Sequence, residues 1–421
     1  MRFAVAVHGT RGDVEPCAAV AAELVRRGHQ VKMAVPPNLV SFVENSGLGS
    51  AAAYGVDSQE QLEADVFREP LRLRHPLRAL RETRDYMIQG WAEMGRTLVT
   101  LAADADLILT ATTYQEVAAN VAEYQGIPLA ALHYFPFRAN TQILPVTLPA
   151  PVVRSVWPVI ESMHWRMIRP AEDAQRRELG LPTSRVRAIR RMVDDGALEI
   201  QAYDPVFFPG LAEQWAELRP LTGGLTLGLQ TQTDAATSSW IDEGPAPIYF
   251  GFGSMPVECP AAAVAMISDA CAGLGQRALI CSGVWDIDDA APADHVRVVN
   301  SVNHSAVFPR CRAVVHHGGA GTTAAGLRAA APTFVLWIGA EQPIWAAQVK
   351  RLGVGTSQRF TAVTPDSLRA GLRAVLVPEC ARRAREIAAQ MVTPDQSASA
   401  AADLLEASAR QGRNPIRVSP R

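Results

Sequence analysis

Short apolar runs alternate with stretches of three-to-four-residue period from the start of the chain. Phe3 to Val7 is apolar throughout, as expected of a strand buried on both faces. It leads into the turn His8-Gly-Thr-Arg-Gly-Asp13 and a helix predicted over Val14 to Arg27, with Cys17, Val20, Ala21 and Leu24 on one face and Gly28 closing it. A strand over Gln30 to Val35, a helix over Pro37 to Ser46 and a strand over Gly49 to Tyr54 follow. This βαβαβ rhythm predicts a doubly wound parallel sheet. Ser58 to about Ala103 reads as helical. Ala105 to Thr110 and Pro128 to His133 read as buried strands around a helix over Tyr114 to Gln125, and a helix over Val156 to Leu179 and a strand over Leu198 to Tyr203 complete the first half.

Between Pro205 and Pro247 the pattern loosens into Gly, Pro, Ser and Thr, which places a linker near 205 to 230. A second series then begins: a strand over Ile248 to Phe252, a helix over Ala261 to Leu274, and strands over Arg277 to Cys281, Val296 to Val299, Ala313 to His316 and Thr333 to Trp337. Pro365 to Ala409 reads as helical throughout. The expected fold is α/β, two doubly wound parallel-sheet domains facing an interdomain cleft. The boundaries expected are 1–215, 216–390, and 391–421 for a C-terminal helix packing back toward the first domain, with its tail.

Composition narrows the function. The chain has 421 residues, 48% hydrophobic and 19% charged, with a formal net charge of −2. That balance suits a soluble globular protein and disfavours a general nucleic-acid binder. The start, Met1 to His8, is too short an apolar run for a signal peptide, and no window approaches the roughly 20 apolar residues that span a bilayer. The six cysteines form no CxxC pair and read as reduced thiols, so a cytoplasmic location is expected. From Arg68 to Arg84, arginines interleave with leucines. This is either a solvated helix face or a contact with the inner face of the membrane.

The candidate chemistry gathers at Ala313-Val-Val-His316-His317-Gly-Gly-Ala-Gly-Thr322-Thr323. Glycines let backbone amides approach a bound group, and a helix start favours an anion, so the turn suits a diphosphate. The alternative is a packed turn with two structural histidines and Thr322 as N-cap. Other strands end in Gly253-Ser254 and in Gly339-Ala-Glu341-Gln342-Pro343, so His317, the Gly318 to Thr323 amides and Ser254 form the candidate cradle. Glu341 and Gln342 either begin a helix at Pro343 or hold ligand hydroxyls. Asp13 is either an N-cap or a general base at the end of the first strand. A helix start favours its carboxylate form, which a hydrogen bond from a neighbour such as His8 would have to offset. The proline-broken apolar loop from Ile143 to Val153 either lines an apolar ligand or packs between elements. Gly9-Thr-Arg-Gly12 lacks the GxGxxG fingerprint, which weakens a dinucleotide reading. Arg11-Gly-Asp13, Asn303-His-Ser305 and Asp286-Ile-Asp288 match adhesion, glycosylation and metal motifs, but each stands in the wrong context.

Gly9-Thr-Arg-Gly-Asp-Val-Glu-Pro16, Gly253-Ser254, His316-His-Gly-Gly-Ala-Gly-Thr-Thr323 and Glu341-Gln342, in that order, resemble the GT-B fold glycosyltransferases of family 1 over essentially the whole chain. The likeness is greatest to actinobacterial enzymes that glycosylate antibiotics and to the group that glycosylates mycobacterial glycopeptidolipids. It implies two Rossmann-like domains and an inverting, metal-independent transfer with no cofactor, from a nucleotide-sugar donor, TDP-deoxysugar or UDP-sugar, to a hydrophobic acceptor. The resemblance also assigns roles. Asp13 is the base, with His8, Thr10 and Arg11 as support. Ser254, His317, Gly319, Ala320, Gly321 and Thr322 hold the diphosphate. Ser301 and Val302 hold the nucleoside, and Glu341 and Gln342 the sugar. Apart from the resemblance, the apolar stretch after the strand ending at His133 makes His133 and Phe135 the candidates to face the acceptor. The Trp-Ala-Pro-Gln box of plant members is absent, so uridine specificity does not carry over. A nucleotide-sugar epimerase and a non-catalytic nucleotide- or lipid-binding protein are the alternatives on the same scaffold.

Overall fold

The computed structural model describes residues 1–63, 76–140, 142–143, 150–227, 234–255, 257, 259–285 and 293–413. Two six-stranded sheets, every pairing parallel, form two compact units. The first unit takes Met1–Ala202, Gly210–Leu225 and the chain from Pro394, and the second takes Tyr203–Pro209 and Thr226–Thr393.

The first sheet contains β1 (Arg2–Ala6), β2 (Gln30–Val35), β3 (Ala51–Ala53), β4 (Leu107–Thr110), β5 (Leu129–His133) and β6 (Leu198–Gln201), in the order β3-β2-β1-β4-β5-β6. Phe3 lies opposite Val31 on one side and Leu107 on the other. The second contains β7 (Ile248–Gly251), β8 (Ala278–Cys281), β9 (Val296–Val299), β10 (Ala313–His316), β11 (Thr333–Trp337) and β12 (Gly355–Arg359), in the order β12-β11-β10-β7-β8-β9. Alternate residues face opposite layers, as the pleat requires. Phe250, Ile280, Val315 and Phe334 enter one core with the helix Pro260–Ala272, and Tyr249, Leu279 and Val314 enter another around Phe308. In each order the chain reverses direction once, at β1/β4 and at β10/β7. Loops at the carboxyl ends of the two strands flanking a reversal diverge and leave a crevice.

The Tyr203–Pro209 segment is fixed to the second unit. Trp345 meets the rings of Tyr203, Phe207 and Phe208 with centroids 5.0–6.2 Å apart. The fully buried Asp204 accepts from Val392 N at 2.7 Å and from Arg328 at 3.2 Å. In the first unit the helix Pro394–Gln411 packs on the helix Arg11–Arg26, burying Ala401, Ala402 and Leu405. At that contact Arg27 pairs with Asp403 and Glu406 at 2.6 and 3.0 Å.

Several expectations change. The first helix starts at Arg11, three residues before Val14. The apolar proline-containing segment becomes helical from Ala150, continuing to Glu178. Residues 144–149 of that segment, Arg68, Arg72, Arg74 and the Asp286/Asp288 pair lie outside the described residues. Pro365 to Ala409 is three helices, each opening on a proline: Pro365–Val375, Pro378–Ala388 and Pro394–Gln411. The strand β12 and the helices Ala188–Asp194, Leu211–Trp215 and Asp234–Asp242 were not read from the sequence. No helix among the described residues is long and apolar enough to cross a membrane.

Candidate active site

The second unit collects its candidate residues at the reversal between β7 and β10. β10 ends in His316, which is wholly buried, and Gly318 turns the chain with φ +96°. A Cβ at Gly318 would stand 2.8 Å from Val335 Cγ1 and 3.2 Å from the Gln342 carbonyl, so only glycine fits where this turn crosses the next one. Gly319 is the N-cap of the helix Ala320–Arg328 and brings no side chain to satisfy it. The amides of Ala320, Gly321 and Thr322 occupy the first turn, where no intrahelical carbonyl exists. Thr322 is therefore inside the helix and does not cap it. Thr323 donates its hydroxyl back to the Gly319 carbonyl at 2.8 Å.

The His317 ring lies between two glycines. A Cβ on Gly319 would fall 2.7 Å from its Nε2, and one on Gly253, 3.0 Å from its Cε1. Burial pushes its pKa down to about 4, so the ring is neutral at pH 7 and offers a hydrogen bond in place of a charge. Gly253, with φ +59°, leads to the half-buried Ser254 and also touches the loop after β8, where a Cβ on Gly283 would stand 2.9 Å from the Gly253 carbonyl. Ser282 and Gly283 in turn donate their amides to Val299 and Asn300 at 2.9 and 3.2 Å. These bonds place Ser301 and the buried Val302 beside that loop. On the other side, Gln342 Oε1 accepts from the Ile338 and Gly339 amides at 2.8 and 3.3 Å. Glu341 is the N-cap of the helix Gln342–Arg351 without a side-chain cap bond, and burial raises its pKa. Ala340 before it holds φ +54°, a left-handed backbone uncommon for a residue with a Cβ.

In the first unit the loop after β1 occupies the corresponding reversal. Thr10, not Asp13, is the N-cap, and Asp13 sits at the third helical position. Its Oδ2 accepts from the Thr10 amide at 2.7 Å and hydroxyl at 3.2 Å, as in a capping box. Gly9 has φ +141°, and a Cβ there would overlap the Asp13 carboxylate. His8 makes its hydrogen bond outside this box. Its Nε2 donates to the Val56 carbonyl at 3.0 Å, its ring meets Tyr114 edge-on at 5.1 Å, and burial lowers its pKa. Arg11 pairs with Glu15 at 2.9 Å and covers the Phe42 ring. Sequence reading missed Tyr134, whose hydroxyl donates to the Asp13 carbonyl at 3.0 Å, and Tyr86, whose phenol is pushed up to about 12 by burial and by the nearby Tyr114 and Asp13. Tyr134 directly follows β5, so its place at a strand carboxyl end was the available signal.

His133 is corrected. It is fully buried, with Nε2 3.4 Å from Gln115 and Nδ1 3.2 Å from Gln201, above the Arg138–Glu199–Arg219 ion cluster. No face of its ring is left for an acceptor. Phe135 remains half-buried, edge-on to Phe137 at 5.6 Å.

Residues 3–143 match the glycosyltransferase family 28 N-terminal domain, and residues 286–407 match the C-terminal domain of proteins like erythromycin biosynthesis protein CIII. An uncharacterised glycosyltransferase of Mycobacterium tuberculosis is 57% identical over 415 residues, 98% of this chain and 100% of the relative. This chain belongs to the GT-B glycosyltransferases. Family 1 membership, implied by its motifs, holds, although the matched N-terminal domain carries the family 28 description. The glycosyltransferase is also 28% identical to the Arabidopsis thaliana sterol 3-beta-glucosyltransferase UGT80B1, over 95% of this chain and 67% of that protein. Its fold matches the Streptomyces sp. SF2575 glycosyltransferase SsfS6 complexed with thymidine diphosphate. There the TM-score is 0.63 at 22% identity, covering 97% of this chain and 99% of that one.

Proposed function

We infer that this glycosyltransferase moves a sugar from a nucleoside-diphosphate donor, a TDP-deoxysugar or a UDP-sugar, to a hydroxyl of a hydrophobic acceptor, with inversion and without a metal or cofactor. The observation that carries this reading is the Gly319 helix start: an uncapped N-terminus at a strand-order reversal, with a neutral imidazole beside its first-turn amides. The thymidine diphosphate named with SsfS6 supports the donor class, and the sterol named with UGT80B1 supports an apolar acceptor.

The diphosphate leaves with developing negative charge. The amides of Ala320, Gly321 and Thr322 and the dipole behind them stabilise that charge, while His317 and Ser254 contribute hydrogen bonds. Glu341 and Gln342 hold sugar hydroxyls, and Ser301 and Val302 line the nucleoside. Asp13 accepts the acceptor's proton as its oxygen attacks the anomeric carbon, Thr10 fixes the carboxylate's orientation, and Phe135 contacts the acceptor.

Two variants test these roles. Asp13→Asn keeps thymidine diphosphate binding and loses turnover by roughly 10²–10⁴-fold; near-normal transfer by this variant would remove Asp13 from the chemistry. His317→Ala weakens thymidine diphosphate binding in calorimetry, and unchanged affinity would contradict the cradle. Donor incubated without acceptor is at most slowly hydrolysed; conversion to its epimer would favour an epimerase.

A further inference from the structure

The turn that carries Asp13 contains Gly9 and Gly12, and such a turn has wide backbone freedom of its own. Two side-chain hydroxyls hold it, one at each end, and both come from loops at the carboxyl ends of neighbouring strands. Thr113, three residues beyond β4, donates its hydroxyl to the His8 carbonyl. Tyr134, directly after β5 and only 7% exposed, donates to the Asp13 carbonyl at 3.0 Å. Both bonds end on the backbone, while Thr10 holds the Asp13 carboxylate itself.

The surroundings fix each hydroxyl. The Tyr134 phenol also bonds with the thiol of Cys17, one turn further along the Arg11–Arg26 helix. Burial raises the pKa of that thiol and keeps it protonated, so the thiol donates to the phenol oxygen and the phenol hydrogen stays on the Asp13 carbonyl. Beside Thr113, Tyr114 holds a left-handed φ of +54°, a strain that persists only where contacts over-determine it. Its ring meets His8 edge-on at 5.1 Å, and its hydroxyl donates to the Tyr86 carbonyl at 3.3 Å while accepting from Gln61 at 3.2 Å. Thr113 is exposed where Tyr134 is buried, so water competes for the Thr113 bond and the Tyr134 bond is the stronger hold.

We propose that Tyr134 and Thr113 are positioning residues for Asp13: by holding the carbonyls at the two ends of its turn, they set the direction in which the carboxylate meets the acceptor hydroxyl. The proposal rests on the reading of Asp13 as the base, and neither hydroxyl touches the reacting atoms. A displacement of about 1 Å in a reacting group costs as much as roughly 100-fold in rate, so bonds remote from the chemistry are enough to govern it.

Hydrogen exchange and nucleotide release on the full chain test it. Tyr134→Phe speeds amide exchange across residues 8–18 by roughly two- to ten-fold, the worth of one hydrogen bond. Thr113→Val does so by less, and Thr113→Ser, which keeps the hydroxyl, exchanges as the parent does. Exchange in the second unit and thymidine diphosphate affinity stay unchanged in all three. Release of the nucleoside diphosphate from TDP-glucose and UDP-glucose, with water as acceptor, then reads the carboxylate. Tyr134→Phe slows this release by roughly ten-fold, but by less than about two-fold in an Asp13→Asn background, where no base is left to position. Parental exchange across residues 8–18 in both Tyr134→Phe and Thr113→Val would overturn the proposal, as would equal slowing with and without Asp13. Release by Asp13→Asn alone at the parental rate would instead strike the base reading itself, whatever Tyr134→Phe does, and the positioning role would fall with it.

Discussion

The Gly318 amide donates to His316 Nδ1 at 2.9 Å, so that nitrogen is unprotonated and the ring hydrogen sits on Nε2, buried without a hydrogen-bond partner among the described residues. Burial holds the pKa of His316 well below the ordinary histidine value, which keeps this acceptor available at any working pH. His316 therefore holds the turn, while its neighbour His317 is the ring proposed to meet the diphosphate. An asparagine places its side-chain oxygen close to where Nδ1 lies. His316→Asn is expected to keep thymidine diphosphate affinity within a few-fold, and His316→Leu to lose roughly two- to ten-fold, the worth of one hydrogen bond. Calorimetry on the pair checks this, and equal losses would deny the bond a role. The paired histidines and glycines marked the turn in the sequence, but the division of labour between the rings did not show there. It depends on which ring the sheet buries. The same holds at Thr10 and Asp13, both of which are residues that cap helices; which one caps is settled by where the first helical carbonyl bond closes.

Among the elements, the turn after β10 and the helix Gln342–Arg351 meet at Gly318. Gly318→Ala forces a Cβ against Val335 and Gln342 at positive φ, so a destabilisation of about 1–3 kcal/mol is expected, accompanied by weaker thymidine diphosphate binding. Urea denaturation and calorimetry check both, and a variant as stable as the parent would show that the turn relaxes freely. Most strands were legible because a parallel strand covered on both faces is an unbroken apolar run, as Leu107–Thr110 and Ala313–His316 are. β12 escaped because Gly-Thr-Ser-Gln-Arg lies at the sheet edge, half-exposed, where nothing demands apolar side chains. The first residues of the helix from Ala150, as far as Val153, read as a broken loop because prolines usually end helices. Pro151 stands in its first turn, where the missing amide costs little.

For the whole molecule, buried histidines set the response to acid. Burial pulls His133 to about 3 and His317 to about 4 from an ordinary 6.5, and lowers His8 and His316 as well. Below pH 6.5 the unfolded chain takes up protons that these four rings refuse while folded, so stability falls with pH by about 1.4 kcal/mol per unit for each ring engaged. His164 opposes them: Glu116, 3.1 Å away, raises its pKa, and it adds stability as pH drops. Glu199, held at about 2 by Arg138 and Arg219, loses its contribution only below its ordinary 4.5. The urea midpoint is therefore expected to drop steadily between pH 6.5 and 4.5, and a flat profile would mean the four rings reach water.

The helix Pro394–Gln411 belongs to the unit that contains the chain's start, although the whole second unit is translated between them. While a ribosome is still making the protein, the outer side of the Arg11–Arg26 helix therefore waits uncovered until the second unit has been made. A chaperone that shields nascent apolar surface has a long opportunity there, and premature termination before Pro394 leaves a first unit that never receives this helix.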